Sequence, residues 1–245
     1  MKVIAYTALR YGRDYLGYAI QSIIDRVDEY HVLYAQQPSH GHFDPTPCPE
    51  TREELFAIAS TIAGSKLRWH NGTWTHEHAQ RNSIHEFAPD ADMIIVLDAD
   101  EIWSERALTL LDGEMGFKGS MIRIPFVHFW RSFHRAIRHD PAAPPRVIFP
   151  HSPRKEWVLD FGLEGSINHM GYAQRSEIVS YKMKIHGHKA ELKPDWFETV
   201  FMDETRTTDL HPVGSQYWNI ERVDPWAYLP DFIQAHKYAN LEVIP

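Results

Sequence analysis

Three acidic side chains lie within four residues of one another, directly after an apolar run. Residues 93–97 (MIIVL) have the length of a strand and are followed by Asp98, Asp100 and Glu101. Carboxylates held together at a strand end would repel one another if all were ionised. A hard divalent cation, which prefers oxygen ligands, would remove that repulsion and bridge the acids to another anion, most simply a diphosphate. The same acids could instead form a solvated turn.

A hydrophobic strand that ends in Asp and Glu is also the pattern of a Walker B strand. That interpretation requires a phosphate-binding loop of the form G-x-x-x-x-G-K-[ST] upstream. None of the upstream glycines, among them Gly12, Gly17, Gly64 and Gly72, belongs to such a loop. We therefore reject the NTPase interpretation.

Strand and helix patterns alternate before the acidic segment. The sequence predicts strands at residues 2–6, 29–35, 66–69 and 93–97, and helices at residues 15–27, 51–64 and 76–87. Thr51 and Glu54 fit a capping box at the start of the second helix. Such alternation predicts a mostly parallel sheet with helices on both faces, and ligands bind at the carboxyl ends of its strands.

The alternation is less regular after Ile102. The sequence predicts a long strand at residues 120–129, a proline-rich excursion at 139–155 and a tail rich in Trp, Tyr and Pro. It contains no internal repeat and no low-complexity linker. We therefore predict one α/β domain over residues 1–245.

Composition restricts the class of protein further. A hydrophobic fraction of 43% is ample for a core, and the single cysteine, Cys48, excludes an internal disulfide framework and suits a reducing compartment. No apolar run approaches the roughly 20 residues of a membrane helix, and the N-terminus lacks a signal-peptide pattern. The formal charge of −8 argues against adhesion to nucleic acid over the whole surface. These features predict a cytoplasmic protein.

Three segments resemble the GT-A fold of nucleotide-sugar glycosyltransferases, similar to family 2-type enzymes. Residues 4–35 are similar to their opening strand, helix and second strand, whose helix contains a Leu…Ser-Ile pattern. Residues 78–101 (HAQRNSIHEFAPDADMIIVLDADE) resemble their Ala-x-Arg-Asn helix and Asp-x-Asp strand. Residues 167–188 resemble a His-x-Gly-Tyr segment followed by a lysine. The chain departs from the pattern after the second strand, where it has Gln36-Gln37 in place of an aspartate.

The resemblance implies a single GT-A (Rossmann-like) domain with a mostly parallel central sheet and an elaborated C-terminal half. It implies transfer of a sugar from a nucleotide-diphosphate sugar, a UDP-sugar, to an acceptor hydroxyl, with inversion and with Mn²⁺ or Mg²⁺ as cofactor. Residues 1–102 would then bind the nucleotide-sugar, and residues 103–245 would bind the acceptor.

The resemblance also implies roles for individual residues. Asp98 would contact the ribose or the metal, and Asp100 would bind the metal. A C-terminal histidine often supplies a further ligand. His169 is the first candidate, with His186 and His188 as alternatives, although each could equally be a surface or hydrogen-bonded core histidine.

Donor contacts are predicted around these acids. The residues expected to bind the nucleotide-sugar are Thr7, Ala8, Arg10, Arg81, Asn82, Asp98 and Lys182. The resemblance places the Arg-Asn pair near the nucleotide, the residues after the first strand near base and ribose, and the lysine near the leaving diphosphate. Each could instead be an ordinary exposed side chain.

Acceptor activation calls for a carboxylate or histidine base within hydrogen-bond reach of the hydroxyl. Asp160 and Glu164 are candidates, although both could be surface acids. The basic aromatic stretch at residues 128–139 (HFWRSFHRAIRH) suggests an acceptor that stacks and carries phosphate: a phosphorylated glycan, a lipid-linked sugar or a modified base in DNA. The alternative is that its aromatic side chains form core.

Two other function classes stay open. A metal-dependent sugar-phosphate nucleotidyltransferase would use similar acids but normally has a glycine-rich basic loop, of which residues 6–13 (YTALRYGR) are a poor version. A non-catalytic module that binds nucleotide-sugar or glycan would keep the aromatic residues but does not need all three acids.

Overall fold

The computed structural model describes residues 1–38, 44–109, 121–138, 140, 143–151, 156–158, 166–214 and 218–245. The strands are β1 (Val3–Leu9), β2 (Glu29–Ala35), β3 (Leu67–Gly72), β4 (Met93–Val96), β5 (Glu101–Trp103), β6 (Met121–Arg123), β7 (Phe126–Trp130), β8 (Arg135–Arg138), β9 (Pro145–Ile148), β10 (Glu156–Val158), β11 (Ile167–Tyr172) and β12 (Asn219–Arg222). The α-helices are α1 (Arg13–Ile23), α2 (Arg52–Ala63), α3 (Glu77–Asn82), α4 (Ile84–Phe87), α5 (Glu105–Thr109) and α6 (Ser176–Lys184). Across these ranges, no helix combines the length and the apolar character needed to cross a membrane.

Within the described residues, the larger sheet has seven strands in the order β10-β6-β9-β4-β1-β2-β3. Strands β1 to β4 are parallel to one another, as are β6 and β10, whereas β9 is antiparallel to β4 and β6. The order reverses at β1, because β2 and β3 extend the sheet on one side and β4 on the other. This architecture confirms the predicted α/β fold, a Rossmann-like domain with a mostly parallel central sheet.

Burial on both faces explains why the central strands are apolar throughout. Successive residues of a strand point to opposite faces, yet Ile94 and Ile95 of β4 are both completely buried. Ile95 belongs to a core cluster with Leu16 of α1, and Ile94 belongs to one with Ile84 of α4. Helices therefore cover both faces of the sheet, as expected for parallel strands.

Local sequence signals are confirmed where they are strongest. The second strand has the predicted bounds, Glu29–Ala35. At the start of α2, Thr51 Oγ1 accepts a hydrogen bond from the Glu54 N–H (3.2 Å), and Glu54 Oε2 accepts one from the Thr51 N–H (2.9 Å). These two bonds form the predicted capping box.

Two predicted elements are each divided in two. The predicted helix at residues 76–87 consists of α3 and α4, with a break at Ser83, whose hydroxyl donates to the Gln80 carbonyl (2.7 Å). The predicted strand at residues 120–129 contains β6 and β7, which belong to different sheets. Pro125 lies between them and has no N–H to continue a ladder.

The proline-rich segment at residues 139–155 contains an unpredicted strand. β9 enters the central sheet between β4 and β6, and Val147 at its centre is completely buried. β9 forms backbone hydrogen bonds with β4 on one side and β6 on the other, so a strand of only four residues is stable in the sheet. The prediction of an irregular excursion is therefore wrong for residues 145–148, which form β9.

A second sheet brings the C-terminal half to the acidic segment. Its five described strands are in the order β12-β8-β7-β11-β5. The register of β11 places His169 opposite Glu101 of β5 on one side and opposite His128 of β7 on the other. Strand pairing, rather than closeness in sequence, thus joins the predicted histidine to the predicted acids.

One buried carboxylate attaches the C-terminal residues to α1. Asp14 Oδ1 accepts a hydrogen bond from Lys237 Nζ (2.6 Å), and Oδ2 accepts from the Tyr238 hydroxyl (2.7 Å) and Arg175 Nε (2.9 Å). Burial alone would raise the pKa of Asp14, but these three donors hold it below its ordinary value. The carboxylate is therefore ionised at neutral pH.

We expect Asp14→Ala to lower the free energy of unfolding by about 3 kcal/mol, because it removes the buried carboxylate that Arg175 Nε, Lys237 Nζ and the Tyr238 hydroxyl share. Urea denaturation followed by circular dichroism measures this loss. The control is Asp25→Ala, which changes an exposed acid just after α1 and should stay within about 0.5 kcal/mol of the wild type. Equal losses in the two variants would contradict the role of Asp14.

Candidate functional site

A cleft of about 200 Å³ opens at the carboxyl ends of β1, β2 and β4. It lies where the strand order reverses, which is where open α/β sheets bind their ligands. The predicted site residues that line it are Ala8, Arg10, Arg81, Asp98, Asp100, His169 and Lys182. The structure therefore gathers most of the predicted residues in one place.

Asp98 lies between two guanidinium groups. Its Oδ1 accepts a hydrogen bond from Arg81 Nη2 of α3, and its Oδ2 accepts one from Arg146 Nη2 of β9, both at 2.9 Å. Burial would raise the pKa of Asp98, but the two arginines together hold it below its ordinary value. Asp98 is therefore ionised, with its charge compensated by the protein itself.

Glu101 is also compensated internally. Its side chain is completely buried and accepts hydrogen bonds from Arg146 Nη2 and from the Asp98 N–H. Burial outweighs the opposing effect of Arg146 and raises the pKa of Glu101 to about 8. Two of the three acids thus need no cation, which corrects the expectation that mutual repulsion makes a metal necessary.

Asp100 and His169 face each other across the cleft. Asp100 Oδ1 is 3.7 Å from His169 Nε2, while Asp100 Oδ2 is 3.2 Å from Gln174 Nε2 and 3.9 Å from Lys182 Nζ. Burial raises the pKa of Asp100, although Lys182 opposes it. Burial, together with the neighbouring His128, lowers the pKa of His169 well below its ordinary value. His169 is therefore a neutral imidazole, the form that binds metals.

The fit to a divalent cation is limited to these two side chains. Within the described ranges, no three His, Cys, Asp or Glu side chains are gathered as a metal site. Asp98, the third predicted ligand, has a guanidinium group on each of its oxygens, and its place in the metal set stays a prediction. Two ligands of one ion, each about 2.1 Å from it, are about 3–3.6 Å apart, close to the observed 3.7 Å. Asp100 and His169 could therefore occupy two coordination positions.

The alternative histidines lie elsewhere. His186 and His188 line a larger cavity and are not part of the cleft wall. His188 Nδ1 is 3.0 Å from Glu191 Oε1, and the His188 N–H donates to His186 Nδ1 (3.0 Å). The structure therefore favours His169 among the three candidates.

Two of the predicted donor residues do not face the cleft. The side chain of Thr7 is completely buried and its hydroxyl is hydrogen-bonded to the Tyr30 hydroxyl (2.6 Å). Asn82 is exposed at the end of α3, away from the cleft wall. These placements correct both predictions, since the sequence pattern shows neither the direction of the Thr7 side chain nor the rotation of α3.

Arg10 lines the cleft but is engaged by the chain. Its Nη1 donates to the carbonyls of Ala35 (3.1 Å) and Gln36 (2.8 Å) at the end of β2. Its Nε lies 3.3 Å from the Tyr181 hydroxyl. Arg10 thus links the ends of β1 and β2. Any contact of Arg10 with a bound ligand would be additional to these hydrogen bonds.

The amino end of α1 is filled by a side chain of the protein. Glu50 Oε2 accepts hydrogen bonds from the N–H groups of Gly12 (2.6 Å) and Arg13 (2.8 Å), and its Oε1 accepts from Arg175 Nη2 (2.9 Å). Helix amino ends commonly bind phosphate. Here a buried carboxylate takes that position, so this helix end is not available to an anionic ligand.

A second cavity of about 760 Å³ adjoins the cleft. Asp98 and His169 line both spaces. The larger cavity is also lined by His128, Asp140 and Arg146, none of which was a predicted site residue. A ligand in the cleft and a ligand in the cavity would therefore meet at Asp98 and His169.

The basic aromatic stretch at residues 128–139 does not offer a stacking surface. Phe129 and Phe133 are completely buried, and Trp130 is 2% exposed. Arg131 donates to the Phe201 carbonyl (2.8 Å) and lies 3.3 Å from Glu204. The core interpretation of these three aromatic residues is confirmed, so their rings are not available to stack on an acceptor.

The two predicted catalytic acids, Asp160 and Glu164, lie outside the described residues and remain predictions. Sequence reasoning missed Arg146 and Glu50. The sequence signal for Arg146 was the excess of basic over acidic residues at positions 117–155. Such an excess implies that acids from other parts of the chain pair with some of these basic side chains. Glu50 had no local signal, because its partners are backbone N–H groups.

No known family profile matches the sequence, and no curated protein matches it. Among solved structures, the chain is similar to a 4-diphosphocytidyl-2C-methyl-D-erythritol synthase from Anaerococcus prevotii DSM 20548. The TM-score is 0.40 at 10% identity, and the match covers 64% of this chain and 86% of that chain. A likeness at this level concerns the general α/β architecture and carries no information about activity.

At Gly12, the loop after β1 lies very close to Ala99 in the loop after β4. Gly12 has a φ of 137°, and a Cβ added there would lie 2.5 Å from the Ala99 Cβ, whereas Gly64 (φ 53°) has free space around it. We expect losses in unfolding free energy of about 1 kcal/mol for Gly64→Ala, from backbone strain alone, and about 3 kcal/mol for Gly12→Ala. Urea denaturation measures both. A loss for Gly12→Ala no larger than that for Gly64→Ala would show that the loops need not meet this closely.

Proposed function

We propose that this protein is a metal-dependent glycosyltransferase that moves a sugar from a nucleotide-diphosphate sugar, a UDP-sugar, to an acceptor hydroxyl with inversion. The observation that carries the proposal is the shared wall of the two cavities. A donor in the cleft and an acceptor in the larger cavity would meet at Asp98 and His169. Transfer between two bound substrates requires this kind of contact.

The donor diphosphate would lie beside Lys182. The contacts of its ammonium group with the Gly171 carbonyl (3.5 Å) and Asp100 Oδ2 (3.9 Å) are both long, so the group can approach an anion. Glu50 excludes the phosphate from the α1 amino end. Arg81 also lines the cleft, and its Nη1 has no hydrogen-bond partner in the described part of the chain.

Asp100 and His169 would hold the cation, and Asp98 would accept a hydrogen bond from the ribose through its remaining lone pairs. A bound divalent cation supplies charge neutralisation to the leaving diphosphate. Lys182 would add a positive charge on the same side. Arg81 and Arg146 would keep Asp98 ionised and fixed in position throughout.

The larger cavity has room for an acceptor. Its volume of about 760 Å³ lies in the range of small-molecule pockets, roughly 300–1,000 Å³. Its lining combines charged and imidazole side chains with the aromatic rings of Phe126, Tyr172 and Trp218. We propose a glycan or lipid-linked sugar as acceptor, with Asp160 or Glu164 as the base that accepts the proton of its hydroxyl.

One observation favours glycosyl transfer over nucleotidyl transfer. A nucleotidyltransferase needs free donors in the loop after β1 to bind a triphosphate. In this chain the N–H groups of Gly12 and Arg13 bind Glu50, and Arg10 binds backbone carbonyls. These donors are therefore already engaged.

Turnover of a panel of UDP-, GDP- and TDP-sugars with Mn²⁺ tests the proposal. We expect release of nucleoside diphosphate that depends on Mn²⁺. Asp100→Asn and His169→Ala should each lower the rate at least about 100-fold, because each removes a ligand of the cation. The matched control is His85→Ala, an exposed histidine on α4, which should match the wild type.

Two results would contradict the proposal. Pyrophosphate release from a nucleoside triphosphate and a sugar phosphate would support nucleotidyl transfer instead. Binding of nucleotide-sugar without any turnover, under all metal and acceptor conditions, would leave a non-catalytic module.

A further inference from the structure

We propose that Tyr11 is a donor-binding residue whose hydroxyl, together with the Lys182 ammonium group, holds the terminal phosphate of a nucleoside diphosphate. The inference rests on the proposed function and deepens it. It assigns a role to a side chain of the cleft that the proposed chemistry leaves unused.

A smaller pocket of about 210 Å³ adjoins the cleft. The residues that line both spaces are Tyr11, Glu77, Lys182 and Ile185. The cleft alone, at about 200 Å³, is smaller than most small-molecule pockets, which measure roughly 300–1,000 Å³, whereas the cleft and the pocket together lie in that range. A nucleoside diphosphate in the cleft would therefore extend past Tyr11 and Lys182 into the pocket.

The Tyr11 hydroxyl is available to such a ligand. Tyr11 is only partly buried, and across the described ranges its hydroxyl makes no hydrogen bond. Other polar side chains of the cleft wall differ, since Arg10, Arg81 and Asp98 are hydrogen-bonded within the protein. A phenol is protonated at neutral pH, so Tyr11 offers the cleft a hydrogen-bond donor.

Tyr11 and Lys182 lie beside the same two side chains. Lys182 Nζ is 3.9 Å from Asp100 Oδ2 and 4.7 Å from the centre of the Tyr172 ring. The pKa of Tyr11 is raised well above its ordinary value, first by burial and next by the nearby Asp100 and Tyr172. The hydroxyl and the ammonium group therefore approach one part of the cleft.

A neutral donor and a cation side by side suit a phosphate oxygen, which accepts hydrogen bonds and carries negative charge. The Asp100 carboxylate would repel that oxygen, and the ammonium group of Lys182 beside it offsets the repulsion. A ligand group without charge would gain less from Lys182. The pair therefore favours the terminal phosphate over the ribose or the sugar.

Packing fixes Tyr11 before a ligand binds. Its ring meets the Tyr181 ring edge-on, with centroids 5.7 Å apart and an interplanar angle of 87°. At the next residue, Gly12, the loop after β1 packs closely against Ala99. A side chain that is held in place in this way loses little conformational entropy when it binds a ligand.

Removal of the hydroxyl alone tests this role, because Tyr11→Phe keeps the ring that packs against Tyr181. Isothermal titration calorimetry compares a nucleoside diphosphate with its monophosphate, using whichever of UDP, GDP and TDP the wild type binds most tightly. Titrations in EDTA and with Mn²⁺ separate the effect of the hydroxyl from that of a cation. We expect Tyr11→Phe to weaken diphosphate binding at least about 10-fold under both conditions and to leave monophosphate binding unchanged.

Two further variants complete the test. Tyr18→Phe is the matched control, because Tyr18 is a partly buried tyrosine of α1 that lines neither the cleft nor the pocket, and it should bind both nucleotides as the wild type does. Lys182→Met should also weaken diphosphate binding selectively. In the double variant of Tyr11 and Lys182, the loss of binding free energy should be smaller than the sum of the two single losses, because both groups hold one phosphate.

Four results would overturn the inference. They are wild-type diphosphate binding in Tyr11→Phe, equal losses for the monophosphate and the diphosphate, fully additive losses in the double variant, and failure of the wild type to bind any of the three nucleoside diphosphates.

These readouts do not require sugar transfer. If Tyr11→Phe loses diphosphate affinity as expected but the wild type cleaves no sugar nucleotide, the proposed function fails and the role of Tyr11 stands. If a sugar nucleotide is cleaved and Tyr11→Phe binds the diphosphate as the wild type does, the role of Tyr11 fails and the proposed function stands.

Discussion

The carboxylate of Asp98 lies between the partly exposed Arg81 and the buried Arg146, and the rest of the site is organised around this interaction. An acid at the end of a central strand cannot remain ionised in the interior without nearby positive charge. Arg81 comes from α3 and Arg146 from β9, so compensation of one charge joins three elements that are distant in sequence. Arg146 also compensates Glu101. Two acids of the segment, Asp98 and Glu101, are therefore paired with arginines, whereas the third, Asp100, faces the cleft.

The second sheet and α6 supply the basic side chains that lie opposite Asp100. The register of β11 with β5 and β7 brings a neutral imidazole opposite Asp100, and α6 adds the ammonium group of Lys182 on the same side. Arg175 links this half to the first through Asp14 and Glu50, each at 2.9 Å. A carboxylate, an imidazole and an ammonium group thus surround one small space, in which we propose that a cation and an anion bind together.

Signals carried by neighbouring residues predicted much of this fold. The alternation of strands and helices predicted the mostly parallel sheet, and the Thr51 capping box formed as expected. Asp98 and Asp100 were identified from their position at the end of a predicted strand, whereas Arg81 and Lys182 were identified from the resemblance to GT-A glycosyltransferases.

Pairings between distant residues could not be predicted in the same way. β9 has only four residues and lies in a proline-rich segment, so its sequence shows no strand pattern. Its place in the sheet, and with it the role of Arg146, could therefore not be inferred. The direction of the Thr7 side chain depends on which face of β1 meets Tyr30. The aromatic side chains of residues 128–139 have the composition of a binding surface, and only tertiary packing shows that they are core.

The central claim is that Asp100 and His169 bind the cation while arginines neutralise Asp98 and Glu101. Anomalous scattering from crystals soaked with Mn²⁺ and a nucleoside diphosphate tests it most directly. The account predicts one manganese peak about 2.2 Å from an Asp100 oxygen and from His169 Nε2, with the guanidinium contacts of Asp98 unchanged. A peak bound to Asp98 or Glu101 in place of these contacts, or no peak at the cleft, would contradict it.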